Sequence, residues 1–402
     1  MSFAPVLNRT MRILIVGGSH ADTPMVLAAK RLGYHVTTSG NRAADFAHRH
    51  SDAFVSCDYS VPKDVLDVAR KIGANAICAS CNDFSAISCA YAAKELDLPG
   101  HDDPEVAEVI HHKDRWREFA REEGIEGPAA VGCANLEEAK VALAGLRAPF
   151  MVKPVDLTGG KGIQRVENIE DGLRAAEAAF SISKAKRIVV EEFIIGTRHG
   201  FTCMLRGGKV VFHFADDEIY HISQYLVSAA STPTSCPQSA VENLVAQSER
   251  IAGALRLVDG IFHVQFILRP TGEPVIIEIC RRGPGDLYVE LVRHATGAPY
   301  AEWIVRAACG MDLGGIAELP VRRSVTRHCL MADKPGVFEG FDFDQDVEGR
   351  IIDRMVWARE GECVVDPTTH KFGIVFVDHG SPECMRKEGP ILQKLLRAKI
   401  RE

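Results

Sequence analysis

The chain has 402 residues, 46% of them hydrophobic and 25% charged, the composition of an ordinary soluble globular protein with room for several domains of roughly 100–200 residues each. Its formal charge of −7, from 47 basic and 54 acidic residues, argues against nucleic acid as a partner. No apolar run approaches the roughly 20 residues that span a bilayer, and residues 1–10 lack the basic-then-apolar layout of a secretion signal.

Residues 1–10 read as a short tail, and 11–108 alternate strand and helix signals. Strands are expected over 12–16, 35–39, 53–57 and 75–79, with helices beginning near Asp22 and over 65–72 and 85–96. Short apolar strands separated by helical periods imply a parallel, doubly wound sheet. The first strand ends in Gly17, Gly18, Ser19 and His20, which lacks the spacing of a dinucleotide-binding turn. The twelve cysteines show no disulfide framework and fit a reducing cytosol. Cys78 and Cys81 stand where a redox dithiol would sit, but nothing like the rest of a thioredoxin fold surrounds them. His111 and His112 are adjacent, and one such pair supplies no metal geometry. Asp103 and Pro104 are expected to start the next helix.

From 109 the pattern changes. Helices are expected over 113–123 and 136–146, followed by a buried strand at 150–152 that delivers Lys153 to its end. Pro154 then stops regular pairing, because it has no backbone N–H to give. Gly159, Gly160 and Gly162 follow, with Lys161 between them. Such a loop can bring bare N–H groups against an anion; it also fits a hairpin between two surface strands. It is not a P-loop, since Lys161 is followed by Gly162 and not by Ser or Thr. Further strands are expected over 188–193, 201–205, 209–214, 261–268 and 274–279. A buried helix is marked by Val241, Leu244, Val245, Ile251, Ala252 and Leu255, and another helix by 300–309. Residues 319–402 read as short strands ending in a charged helix over 388–401.

Four pieces thus lie in one order: Lys113 opening a helix, Lys153 before the glycine loop, the run Glu191, Glu192, Phe193, Ile194, and the strand pair carrying Gln265 and Glu278 with Arg281 and Arg282 after it. With this order the chain resembles the ATP-grasp superfamily over roughly 11–320. The resemblance implies a mixed α/β and α+β architecture: a Rossmann-like N-terminal domain at 11–108, a two-lobed ATP-grasp domain at 109–318, and a small β-rich C-terminal portion at 319–402. It also implies that Lys113 and Lys153 contact the ATP phosphates, that Thr158, Gly159, Gly160, Lys161 and Gly162 fold over them, and that Glu191, Glu192, Phe193 and Ile194 meet the adenine. Where many relatives carry an acid for the ribose this chain has Arg198; the Arg198, His199 pair instead resembles the Arg-His of biotin carboxylase, in which the histidine serves the ribose, and this resemblance makes His199 the ribose candidate, with a plain surface histidine as the other reading.

The expected Mg²⁺ (or Mn²⁺) ligands Glu, Glu and Asn read here Gln265, Glu278 and Cys280. Amide and carboxylate oxygens suit Mg²⁺ and a thiol does not, so one ion is expected, with Asp286 as a possible compensating acid. Arg282 matches the arginine that holds the transferring phosphoryl group, a role suited to a guanidinium's paired hydrogen bonds. Arg281 and Gly283 are substrate candidates. The activity implied is ATP-dependent ligation of a carboxylic acid to an amine through an acyl phosphate, in the cytoplasm, by a possible homodimer. The small-molecule acid and amine would be the partners, with no nucleic acid or membrane. Two alternatives stand beside it: a purine-pathway type of enzyme activating formate or bicarbonate, and a nucleotide-binding sensor that has lost turnover.

Overall fold

The computed structural model describes residues 11–402; the tail expected at 1–10 lies outside them. The first sheet is parallel, with strands Ala53–Ser56, His35–Gly40, Arg12–Val16 and Ala76–Ala79 in that order. Its two faces are buried separately. Ile13 and Ile15 point into one core, and Leu14 and Val16 into another beneath the helices Pro62–Ile72 and Asp83–Leu96. This is the doubly wound arrangement that the strand and helix alternation requires.

Three antiparallel sheets follow, two of which frame the site. The smaller has the order Ala130–Cys133, Ile188–Glu192, Phe150–Pro154, Gln164–Val166, and is backed by the helices Leu136–Gly145 and Ile169–Ile182. The larger has eight strands: Pro274–Cys280, Gly260–Leu268, Thr197–Arg206, Lys209–Ile219, Ala229–Thr232, Val325–Met331, Lys371–Asp378 and Ile351–Val356. Its last three strands come from the C-terminal portion, which therefore extends the same sheet through the pairing of Ala229–Thr232 with Val325–Met331.

One core joins these layers. Met25 and Val26 of the first unit pack in the same cluster as Tyr288, Leu291, Tyr300 and Trp303, and as Val325 and Phe376 of the C-terminal strands. Each fully buried side chain of this size is worth about 1.5–3 kcal/mol.

The helix expected over 388–401 is not formed. A 3₁₀ turn and the short helix Leu392–Leu395 lead into the strand Leu396–Arg401, which pairs with Gly336–Phe343. Leu396, Ala398 and Ile400 pack inward while Arg397 and Arg401 reach solvent-side acids. That period of two is the strand pattern, and it overrides the helix-forming Leu and Lys residues.

Candidate active site

The small and large sheets face each other across a cleft of about 380 Å³. It is lined by Lys113, Lys153, Thr158, Gly159, Gly160, Glu191, Glu192, Phe193 and Ile194, and by Gln265, Glu278 and Arg282. Segments far apart in the chain thus bring most of the sequence-derived candidates to one place.

Lys153 is buried at the end of Phe150–Pro154 and its Nζ lies 2.5 Å from Glu191 Oε2. Arg117 Nε donates to the other oxygen, Glu191 Oε1, at 2.8 Å. Burial pushes the Glu191 carboxyl up, but the Arg117 and Lys153 charges outweigh it and hold it at about 2. The Glu191 side chain is therefore an internal anchor for Lys153, not a free group facing an adenine. The Glu192 N–H is given to the Ala129 carbonyl at 2.9 Å, which leaves its carbonyl, with Ile194 just past the strand end.

Lys113 opens the helix Lys113–Glu122 and is likewise buried. Its Nζ donates to the Leu157 carbonyl at 3.1 Å and to Glu278 Oε1 at 3.2 Å, tying the base of the glycine loop to the large sheet. Burial lowers this ammonium's proton affinity, and Glu278, Asp83 and Glu191 together more than restore it. In the loop Gly160 has φ +74°, and a Cβ there would meet the Tyr225 carbonyl oxygen at 2.5 Å. Lys161 and Gly162 are not among the cleft-lining residues: Lys161 is exposed, and Gly162 packs on Pro154 and Ile182.

Three expectations are corrected by the placement of the side chains. His199 does not line the cleft; it is buried on the other face of its strand, with Nδ1 3.0 Å from Asp217 Oδ1 and Nε2 2.6 Å from Thr197 Oγ1. Alternation along Thr197–Arg206 puts Arg198 at the cleft instead. Arg281 is also turned away. It donates to Asp102 at 2.8 Å, to the Val258 carbonyl at 2.6 Å and to the Ile261 carbonyl, and with Gly283 it lines a separate cavity of about 50 Å³. Asp286 lines the cleft but is paired with Lys371 at 2.6 Å through Oδ2 and faces Arg327 and His20 at 3.6 Å each, so its charge is already matched by cations of the chain.

Arg327 and Lys371 were missed by the sequence reading. They stand on strands of the C-terminal portion and enter the same cleft as Arg282. A lone cation in an otherwise apolar buried strand was the available signal. Arg282 itself is held by Asp83, with Nε donating to Oδ1 at 2.7 Å.

For a divalent cation, Glu278 offers a partly exposed carboxylate. Gln265 gives its amide N–H to Glu218 at 2.8 Å, which leaves its carbonyl oxygen. Burial pushes the Cys280 thiol up to about 11, so it stays protonated and is a poor partner for a hard ion. The donors fit one Mg²⁺, on two oxygens completed by phosphate oxygens and water.

Residues 111–222 match the family described as phosphoribosylglycinamide synthetase, ATP-grasp (A) domain. Over that stretch, and in its fold, the chain is similar to ATP-grasp proteins. It is 25% identical over 219 residues to the C-terminal section of the carbamoyl phosphate synthase large chain of Methanopyrus kandleri, covering 52% of this chain and 39% of that one. It is 22% identical over 304 residues to the alanine–anticapsin ligase of Bacillus subtilis, covering 69% and 63%. In both cases the chain spans less than two thirds of the relative's length. The structure of the L-amino acid ligase from Bacillus licheniformis superposes with a TM-score of 0.79 at 20% identity, over 98% of this chain and all of that one. Among the described residues no helix is long and apolar enough to cross a membrane.

Proposed function

We propose that this protein is an ATP-dependent ligase that joins a small carboxylic acid to an amine and releases ADP and phosphate. The observation that carries the reading is one cleft lined by Lys113, Lys153 and the glycine loop and also by Arg282, Arg327 and Lys371. The two lysines and the loop suit ATP phosphates. Arg327 and Lys371 suit the carboxylate of the acid, since they share only Asp286 as counter-ion among the described residues.

Joining the two requires transfer of the γ-phosphoryl group from ATP to a carboxylate oxygen, which leaves ADP and an acyl phosphate. The amine nitrogen then attacks the acyl carbon. A C–N bond forms, the C–O bond to phosphate breaks, and one proton leaves the nitrogen. Phosphoryl transfer needs positioning and charge neutralisation more than covalent help, and Lys113, Lys153 and Arg282 offer both. Glu278 and the Gln265 carbonyl oxygen would hold one Mg²⁺, which when bound offsets phosphate charge. The setting is the reducing cytosol, consistent with twelve free cysteines, and the assembly a homodimer.

The alanine–anticapsin ligase and L-amino acid ligase likenesses support the amide-forming reading. The test is ADP release with Mg²⁺ against pools of acids and amines, with Glu278→Gln alongside. ADP formed only when an acid and an amine are both present, and lost in the variant, is the expected result. ATP binding without turnover for any pool would overturn it in favour of a nucleotide sensor.

A further inference from the structure

Three cleft carboxylates are matched to a cation of the chain: Glu191 to Lys153 and Arg117, Glu278 to Lys113, Asp286 to Lys371. Asp216 and Glu218 are different. They alternate on the strand Lys209–Ile219, so their side chains share the cleft face. Neither forms an ion pair among the described residues. Glu218 accepts only from neutral donors, the Tyr220 hydroxyl at 2.6 Å and the Gln265 amide at 2.8 Å. Asp216 is fully buried and accepts from the Tyr288 hydroxyl at 2.7 Å through Oδ2, while its Oδ1 has no partner.

Gly200, on the next strand, makes room for this carboxylate, since a Cβ there would lie 2.5 Å from Asp216 Oδ2. A buried Asp216 beside a half-buried Glu218, with Arg327 near both but hydrogen-bonded to neither, favours an added cation. Burial first, and then the Glu218 charge, push the Asp216 carboxyl up to about 7, with the Tyr288 hydroxyl and the Arg327 charge opposing.

On the proposed ligase reading, we infer that Asp216 and Glu218 bind the ammonium group of the amine substrate, which enters the cleft as a cation. A metal ion suits the pair less well. Among the described residues neither acid belongs to a group of three metal-ligating side chains whose donor atoms lie within 4.8 Å of one another. An ammonium group, by contrast, needs two or three acceptors at hydrogen-bond distance, and Asp216 Oδ1 is a free one. Ala230, opposite Glu218 in the sheet, and Leu226 and Val227 of the same cleft are apolar and would take the carbon skeleton attached to that ammonium. Acid and amine would then be sorted by charge: Arg327 and Lys371 take the carboxylate, Asp216 and Glu218 the amine.

The experiment is calorimetric titration of the ADP-loaded full chain with each L-amino acid, ethylamine and putrescine in turn, on wild type, Asp216→Asn and Glu218→Gln. At least one amine should saturate wild type, and its affinity should fall on the order of tenfold or more in both variants, while ADP binding shows that each variant is folded. No amine binding to wild type that binds ADP, or amine affinity unchanged in the variants, overturns the assignment. Loss of the Mn²⁺ resonance signal of the ADP complex in Glu218→Gln also overturns it, in favour of a metal ligand. Trapping of the acyl phosphate by hydroxylamine on wild type reads the ligase reaction separately, so failure of that reading is distinguishable from failure of the amine site.

Discussion

Arg282 Nε donates to Asp83 Oδ1 at 2.7 Å, and the same oxygen lies 2.8 Å from His111 Nδ1. Asp83 begins a helix of the N-terminal sheet, so the guanidinium proposed to hold the transferring phosphoryl group is aimed by a residue almost two hundred positions away. Burial pushes the Asp83 carboxyl up, but Arg282 and His111 outweigh it and hold it well below the usual carboxylate range. Asp83→Asn leaves Arg282 buried without its counter-charge. Breaking a buried pair from one side costs about 3–5 kcal/mol. Urea denaturation should show that loss, and the variant should release ADP more slowly at saturating ATP. An unchanged unfolding midpoint with unchanged turnover would remove Asp83 from this role.

The Glu191 carboxyl supplies a pH prediction. Its ordinary value is 4.5 and its folded value about 2. A depressed folded pKa means stability that is fully present above the unfolded value and lost as pH falls through the folded one. The window is therefore about pH 4.5 down to 2, and the amount is on the order of 3 kcal/mol. Stability measured by denaturant across that window should fall more steeply in wild type than in Glu191→Gln, which is less stable at neutral pH because Lys153 and Arg117 then face each other unpaired. Parallel curves would contradict the prediction.

Much of the cleft was legible because its parts are local. A strand that ends on Lys153, a loop of three glycines, and a strand end bearing Glu278 and Arg282 are each visible within a few residues. Side-chain direction was legible only where the strand's phase was known. His199 and Arg198 are neighbours, and choosing between them needed the face of Thr197–Arg206, which only its pairing with Gly260–Leu268 and Lys209–Ile219 sets. Arg327 and Lys371 reach the cleft because Val325–Met331 pairs with Ala229–Thr232 and Lys371–Asp378 pairs in turn with Val325–Met331. No local spacing encodes a juxtaposition that spans such separations.

Arg327→Met should weaken use of the acid specifically. A charge-assisted hydrogen bond to a carboxylate contributes about 1.5–3 kcal/mol, so the KM for the acid should rise on the order of tenfold to a hundredfold, with the KM for ATP little changed. Lys371→Met should act in the same direction and also release Asp286, which it holds at 2.6 Å. Steady-state ADP release with varied acid is the measurement. A rise confined to ATP would place Arg327 with the nucleotide instead.

Cys280→Asn should strengthen the metal site. The buried thiol stays protonated at neutral pH, with its pKa at about 11, whereas an amide oxygen is a hard donor. Mn²⁺ titration of the ADP complex, followed by electron resonance, should show tighter binding by about threefold to tenfold. Binding that is unchanged would mean that position 280 does not reach the ion.

Gly160→Ala tests the glycine loop. Gly160 has φ +74°, a conformation that adds about 1–2 kcal/mol for a residue with a Cβ. The new methyl would also meet backbone, the Tyr225 carbonyl oxygen at 2.5 Å, and backbone cannot swing aside as a long side chain can. The loop must therefore lift from the 220–228 segment that it covers. Thr158 and Gly159 would move with it, taking their N–H groups away from the cleft that Lys113 and Lys153 line. Since the strain sits in an exposed loop and not in the core, global stability should change by less than about 2 kcal/mol, while ATP affinity falls on the order of tenfold. Gly207→Ala is the control: it has φ +56°, carries a comparable backbone penalty and would meet nothing within 4 Å. Equal loss of ATP affinity in both variants would show that the loop's closeness to Tyr225 is not what holds it over the phosphates; loss in Gly160→Ala alone would show that it is.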